Sequence, residues 1–110
     1  MGSVLLSLVL LLNPAVTRTS RGASRAPDLK TYHAAGPGHS IQSVGDAGRT
    51  LTLEDGSVWS VDPRTQFKVS SWQDGALITV VLTKEDPDFN YVLNNEDVDD
   101  WTFAVLLSEK

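Results

Sequence analysis

The side chains of this sequence that could bind a metal ion lie in an acidic stretch in its last quarter. Oxygen-bearing residues stand at positions 1, 3, 5, 9 and 12 of a twelve-residue segment: Asp86, Asp88, Asn90, Asn94 and Asp97. EF-hand loops place calcium ligands at these positions. The sixth position is Tyr91, where such a loop needs glycine, and no amphipathic pattern flanks the segment. We interpret the stretch as a solvated acidic hairpin loop, with calcium binding as a minor alternative.

The sequence offers little for acid–base or nucleophilic catalysis. Its two histidines, His33 and His39, lie in a segment rich in Gly, Ala, Ser and Pro that is predicted to be flexible. A general base there could not be held within hydrogen-bonding reach of a nucleophile. The chain has no cysteine, which excludes thiol catalysis and disulfides. We therefore predict a protein that is not an enzyme and has no cofactor.

Three aromatic residues near the ends of predicted strands could instead hold a ligand: Trp72, Tyr91 and Trp101. Exposed aromatic rings on small barrels can bind peptides or sugars. The acidic residues that precede Trp101 favour a basic peptide as the ligand. The alternative is that the three rings close the ends of the barrel as part of its core.

The charge of the chain supports a basic partner. Residues 31–110 contain five basic and thirteen acidic side chains, which gives them a net charge of −8. Nucleic acid is not expected to bind so acidic a domain, because its phosphates would be repelled. A basic protein or peptide fits this charge better.

The elements that must position these residues begin with a β-hairpin at Asp55-Gly56, a dipeptide typical of tight hairpin turns. Successive strand side chains point to opposite faces, so the loop length decides which residues share a face. A three-residue loop, 54–56, pairs Leu51 with Trp59, whereas a two-residue loop turns Trp59 away from Leu51. The longer loop puts four apolar side chains on one face: Leu51, Leu53, Trp59 and Val61. We predict this loop, with Gly56 at positive φ and Trp59 in the core.

Short strands and turns follow the hairpin. Pro63 to Trp72 lacks alternation and is predicted to contain a single helical turn. The β-branched run Leu77 to Leu82 is predicted to be a central strand buried on both faces. Two further strands are predicted at residues 91–93 and 101–107. Five or six short strands at this spacing predict an all-β fold, a small antiparallel SH3-like barrel.

The first forty residues are predicted to lie outside the barrel as a disordered extension. Residues 4–12 form an apolar run that is too short to span a membrane and is typical of a signal peptide. Residues 1–26 are therefore predicted to be an export signal, with an uncleaved anchor or a mis-assigned start as alternatives. Residues 27–40 are predicted to be a flexible linker, and residues 41–110 the barrel. We expect the domain in the periplasm or outside the cell, with membrane contact only through the N-terminal segment.

The order of turn and core residues resembles that of a family of small, uncharacterised bacterial proteins, many of them exported. The resemblance covers residues 45–107 and rests on Leu51-x-Leu53-x-Asp55-Gly56-Ser57-x-Trp59-x-Val61, Trp72-x-x-Gly75, Ile78-x-Val80 and Tyr91-x-Leu93-x-Asn95. The chain departs from the family at Ala76, where the family tends to have an acidic residue. The resemblance implies an SH3-like barrel whose function is unassigned.

A non-catalytic module of the cell envelope that binds a protein or peptide is the function that the sequence favours. The first alternative is a structural subunit that assembles by strand pairing at an open sheet edge. Calcium binding by the acidic stretch is the minor alternative.

Overall fold

Short strands separated by turn residues account for most of the described chain. The computed structural model describes residues 29–109. Its strands are β1 (Gly36–Gly45), β2 (Thr50–Leu53), β3 (Val58–Val61), β4 (Leu77–Leu82), β5 (Tyr91–Asn95) and β6 (Asp100–Ser108). A 3₁₀ turn, Asp46–Gly48, joins β1 to β2, and α1 (Gln66–Val69) is the one α-helix within residues 29–109. The predicted helical turn between Pro63 and Trp72 is confirmed.

The six strands close into an antiparallel barrel in the order β1-β2-β3-β6-β5-β4. Strand β1 closes it, because its C-terminal half pairs with β2 and its N-terminal half with β4. A register shift between Ile41 and Ser43 marks the bend between the two halves. The predicted all-β class and the small antiparallel barrel are confirmed.

The first hairpin has the register that side-chain alternation predicts. Leu51 pairs with Trp59, the Leu53 amide donates to the Ser57 carbonyl at 3.0 Å, and the Gly56 amide donates to the Leu53 carbonyl at 2.9 Å. Gly56 has a φ of +85°, which glycine adopts without a steric penalty. The three-residue loop is therefore confirmed.

Three aromatic rings pack edge to face in the centre of the barrel. The Trp59 ring lies 5.0 Å from the Tyr32 ring and 5.4 Å from the Tyr91 ring, centroid to centroid. Trp59 is fully buried, as predicted. Leu51 and Leu93 are buried as well, so the core consists of the inward rows of the strands and these rings.

The prediction that residues 77–82 form a strand buried on both faces is wrong. Ile78 and Val80 are buried, but on the opposite face Leu77 is 53% exposed and Val81 is 43% exposed. A small barrel has one interior, and no described layer covers the outside of this strand. A continuous β-branched run is therefore also compatible with a strand that buries only every second side chain.

The predicted flexible linker is also wrong for the last residues of the range 27–40. Strand β1 begins at Gly36, and the Tyr32 and His39 side chains are buried. The Tyr32 amide donates to the Tyr91 hydroxyl at 2.7 Å, which ties the chain before β1 to the core. The barrel thus includes residues that precede Ser40. The predicted export signal, residues 1–26, lies outside the described residues.

Candidate binding surface

An apolar surface lies on the outside of β4, β5 and β6. Val81, Val92 and Phe103 are paired in register across the three strands, and all three point outward. Trp101 precedes Phe103 on the same face of β6. We call the following five residues the outer aromatic face: Val81, Phe89, Val92, Trp101 and Phe103.

The aromatic rings of this face are in contact with one another. The Trp101 and Phe103 rings meet edge to face with centroids 5.0 Å apart. Phe89, in the loop before β5, stacks on Phe103 with centroids 6.4 Å apart and an angle of 19° between the rings. Trp101 is nevertheless 44% exposed, so part of its ring is accessible to a partner. Contiguous exposed apolar patches of this kind are typical of binding surfaces.

Charged groups border the outer aromatic face at Trp101. The Lys68 Nζ donates to Asp100 Oδ1 at 2.9 Å and lies 5.9 Å from the centre of the Trp101 ring. The hydrogen bond from Lys68 lowers the pKa of Asp100, and it outweighs the opposing effect of partial burial. The turn between β5 and β6 adds three exposed acidic residues: Glu96, Asp97 and Asp99. The border is therefore acidic except for Lys68.

Two of the three aromatic residues predicted as ligand contacts are buried. Trp72 is 6% exposed and Tyr91 is 2% exposed. The Tyr91 hydroxyl is also used internally, because it accepts the hydrogen bond from the Tyr32 amide. For these two residues the alternative interpretation, that they belong to the core, is correct. Only Trp101 remains as a candidate contact.

The five residues of the calcium pattern do not converge on one point. Asp86 Oδ2 is 2.8 Å from the Arg64 guanidinium, which lowers its pKa. Asn90 Nδ2 donates to the Lys30 carbonyl at 3.0 Å, and Asn94 lies within β5. Asp88 and Asp97 are exposed in turns, the first before β5 and the second after it. Within residues 29–109, this set does not form a group with ligand atoms close together.

A different cluster, where the loop of the first hairpin meets β1, brings His39, Glu54 and Asp55 together. Their potential ligand atoms lie within 4.8 Å of one another. His39 Nδ1 is 2.9 Å from Glu54 Oε2, and its Nε2 is 2.6 Å from the Ala34 carbonyl. Both partners can only accept a hydrogen bond, so both ring nitrogens carry a proton and neither has a lone pair for a metal. The cluster holds a buried imidazolium rather than a metal ligand.

The pKa values of the cluster agree with this assignment. Burial disfavours the charged form of His39, but the Ala34 carbonyl and the Glu54 carboxylate together outweigh it and raise the pKa. Burial likewise opposes the charged form of Glu54, yet the Ser40 amide and His39 lower its pKa. The prediction that no histidine is held in place is therefore wrong for His39.

The same cluster fixes the chain before β1 to the hairpin. The Tyr32 hydroxyl donates to Asp55 Oδ2, and burial followed by this hydrogen bond raises the pKa of Tyr32. The Ser57 hydroxyl donates to Asp55 Oδ1 at 2.7 Å and accepts from Trp59 Nε1 at 3.0 Å. Through these contacts the cluster joins the chain before β1 to the first hairpin and to the core.

Sequence reasoning missed Phe89, Val92 and Phe103 as surface residues. The alternation Trp101-x-Phe103-x-Val105 was a usable signal, since it puts the two aromatic residues on one face of a strand. The stacking of Phe89 on Phe103 depends on how the loop before β5 folds, and no local pattern indicates it.

No pocket opens among residues 29–109, and no helix within them is long and apolar enough to cross a membrane. Comparison of the chain with protein-family models, with curated proteins and with solved structures found no match, so the family resemblance stays a prediction.

Proposed function

We propose that the barrel is a non-catalytic module that binds a basic segment of another protein on the outer aromatic face. The observation that supports this function is the outward apolar row that begins with the exposed ring of Trp101 and the partly exposed ring of Phe103 and continues into Val92 and Val81 across three strands. Rings in this setting can bury a large apolar area with little loss of conformational freedom.

The charge distribution favours a basic partner. Asp97, Asp99 and Asp100 lie just before Trp101 in the chain, and residues 31–110 carry a net charge of −8. Opposite charges at the border of an apolar surface accelerate association and select among partners. The partner segment is therefore expected to combine lysine or arginine with apolar side chains.

Assembly by strand pairing has less support from the described residues. Each of the six described strands has a neighbour on both sides in the closed barrel. Pairing with another chain needs a row of unpaired backbone groups at a sheet edge. A surface that uses side chains, such as the outer aromatic face, does not.

Export to the periplasm or beyond the cell is part of the proposal. It is supported by the apolar run at residues 4–12, which is typical of a signal peptide. The barrel would then bind its basic partner in the cell envelope.

A labelled eight-residue peptide tests the proposal. The probe repeats Lys-Ser-Leu-Ser twice, and its acidic counterpart has glutamate in place of lysine. We expect the full chain to bind the basic probe, and Trp101→Ala to weaken binding about tenfold or more, as substitution of a central aromatic contact does. Fluorescence polarisation measures the affinity, and thermal unfolding checks that Trp101→Ala remains folded.

The matched control is a substitution on the outside of the barrel that does not belong to the outer aromatic face. Val58→Thr lies on the outer side of β3 and pairs with Ser108, at the opposite end of β6 from Trp101, and it is expected to leave the affinity unchanged. Equal binding of the acidic probe, or full affinity in Trp101→Ala, would contradict the proposed function.

A further inference from the structure

Trp101 and Asp100 together form a place for a positive charge, and Lys68 occupies it. The Lys68 ammonium lies 5.9 Å from the centre of the Trp101 ring and 2.9 Å from Asp100 Oδ1. An aromatic face beside a carboxylate attracts a cation by two means, the ring quadrupole and the opposite charge. Asp100 is fixed toward this position, because its Oδ1 also accepts from the Trp101 amide at 2.9 Å.

Lys68 is held at this place only weakly. It lies on α1, a helix of four residues, and its side chain is 43% exposed. Exposed ion pairs of lysine contribute little to stability, because the ammonium interacts with water almost as favourably as it does with the carboxylate. A second cation of the same chemistry can therefore replace Lys68 without disturbing the core.

We propose that Trp101 and Asp100 form a subsite for a lysine or arginine side chain of the partner, and that Lys68 is an internal competitor for it. This inference rests on the proposed function, because the subsite belongs to the outer aromatic face. It names the group that would take the place of Lys68 beside Trp101 and Asp100: the ammonium or guanidinium group of an approaching chain.

The distance between Trp101 and Phe103 along β6 indicates where a second side chain of the partner would make contact. Trp101 and Phe103 are two residues apart on one face of the strand, which separates them by about 7 Å. An extended peptide has the same repeat. A segment with a cationic side chain and an apolar side chain two residues apart therefore places the first over Trp101 and the second against Phe103 and Val92.

The test compares Lys68→Met with the wild-type full chain, using the Lys-Ser-Leu-Ser probe. Methionine keeps an unbranched apolar stem and removes the competing charge. We expect Lys68→Met to bind the probe about two- to fivefold more tightly, the effect of one exposed cation–π and ion-pair contact. Asp100→Asn is expected to weaken binding by a similar factor.

Lys84→Met is the matched control for charge. It makes the same change in net charge at an exposed lysine in the loop after β4, and it is expected to leave the affinity within experimental error of the wild type. The indole N–H signal of Trp101 in nuclear magnetic resonance spectra, assigned with Trp101→Phe, should move when the probe binds and when Lys68 is replaced.

Two results separate the failure of this inference from that of the proposed function. If the probe binds and Trp101→Ala abolishes binding, but Lys68→Met binds no more tightly than Lys84→Met, only the inference is overturned. If neither the wild type nor Lys68→Met binds the probe, the proposed function is overturned, and the inference with it.

Discussion

His39 is the residue whose environment departs most from what its sequence context indicates. A histidine between glycine, proline and serine is expected to be solvated, yet this one is buried with acceptors on both ring nitrogens. Tyr32, Glu54 and Asp55 face it, and the two carboxylates provide the compensating charge. The stability of the fold is therefore linked to the protonation of one imidazole.

The free energy of unfolding should fall as the pH rises above 6.5. The pKa of His39 is raised above 6.5, so its stabilising effect is fully present below 6.5 and is lost as the pH rises through the folded-state value. His39→Gln should flatten this decline and lower the free energy of unfolding at pH 6 by about 1.5–3 kcal/mol, the usual range for hydrogen bonds to charged groups. Urea unfolding at pH 6, 7.5 and 9 measures both effects.

His33→Gln is the control for this prediction. His33 is exposed and interacts with Glu109 at the surface, where such pairs contribute little, so its replacement should leave the free energy of unfolding at pH 6 nearly unchanged. A pH dependence that is the same in His39→Gln and in the wild type would contradict the assignment of a buried imidazolium. On the acid side Glu54 and Asp55, whose pKa values are lowered, should destabilise the fold as they are protonated below about pH 4.5.

At the scale of single residues, the features that depend only on the alternation of side chains along a strand were predicted correctly. The register of the first hairpin, the positive φ of Gly56 and the burial of Trp59 all follow from one turn and two short strands. The burial of Tyr32 and Tyr91 could not be predicted in this way. Their rings meet only because β1 closes the barrel, which is a contact between segments 59 residues apart.

At the scale of elements, the outward rows of β4 and β6 carry apolar side chains where solvated strands ordinarily carry polar ones. Leu77 and Trp101 show this. The sequence pattern placed Leu77 in a strand buried on both faces, and it left Trp101 open between a ligand contact and the core. The hydrophobicity of a residue alone does not distinguish an apolar side chain exposed on the outside of a strand from one that packs in the core. That distinction depends on which elements cover the strand, and local sequence does not encode it.

Gly48 lies where the 3₁₀ turn packs on α1, and replacing it tests how much this contact contributes to stability. Gly48 has a φ of +94°, and a Cβ there would lie 2.1 Å from the Gln66 carbonyl oxygen. Gly75 has a φ of +88° and open space around it. Gly75→Ala should therefore cost about 1–2 kcal/mol from the backbone alone, and Gly48→Ala clearly more, because the turn and the helix must also separate.

Thermal or urea unfolding of the two glycine variants checks this prediction. Because the backbone conformations are nearly the same, the difference between the variants reports the contact between the turn and α1. An equal loss of stability in both variants would show that the close approach of Gly48 to Gln66 adds nothing to the cost of a Cβ at Gly48.

At the scale of the whole molecule, β1 is the strand on which closure depends. Its first half, residues 36–40, pairs with β4, and the segment before it supplies Tyr32 to the core. A domain of this size has a small core, so a single aromatic ring is a large fraction of its stability. The domain boundary predicted near residue 40 would remove both contributions.

A chain shortened to residues 41–110 is therefore expected not to fold at 25 °C, whereas residues 29–110 should fold. Loss of the buried Tyr32 ring alone corresponds to about 3–5 kcal/mol, as for other buried aromatic residues. Circular dichroism in the aromatic region and the dispersion of amide signals measure folding. Tyr32→Ala in the longer chain isolates the contribution of the ring, and a cooperative transition of the 41–110 chain at the original midpoint would contradict this account.

The two ends of the described chain meet at one point of the surface. The His33 amide and its Nδ1 lie 3.1 Å and 2.8 Å from the two carboxylate oxygens of Glu109. A domain whose ends are adjacent can be inserted into a loop of a host protein without forcing the host loop apart. The barrel is thus suited to use as a graft, with its outer aromatic face displayed on a scaffold of choice.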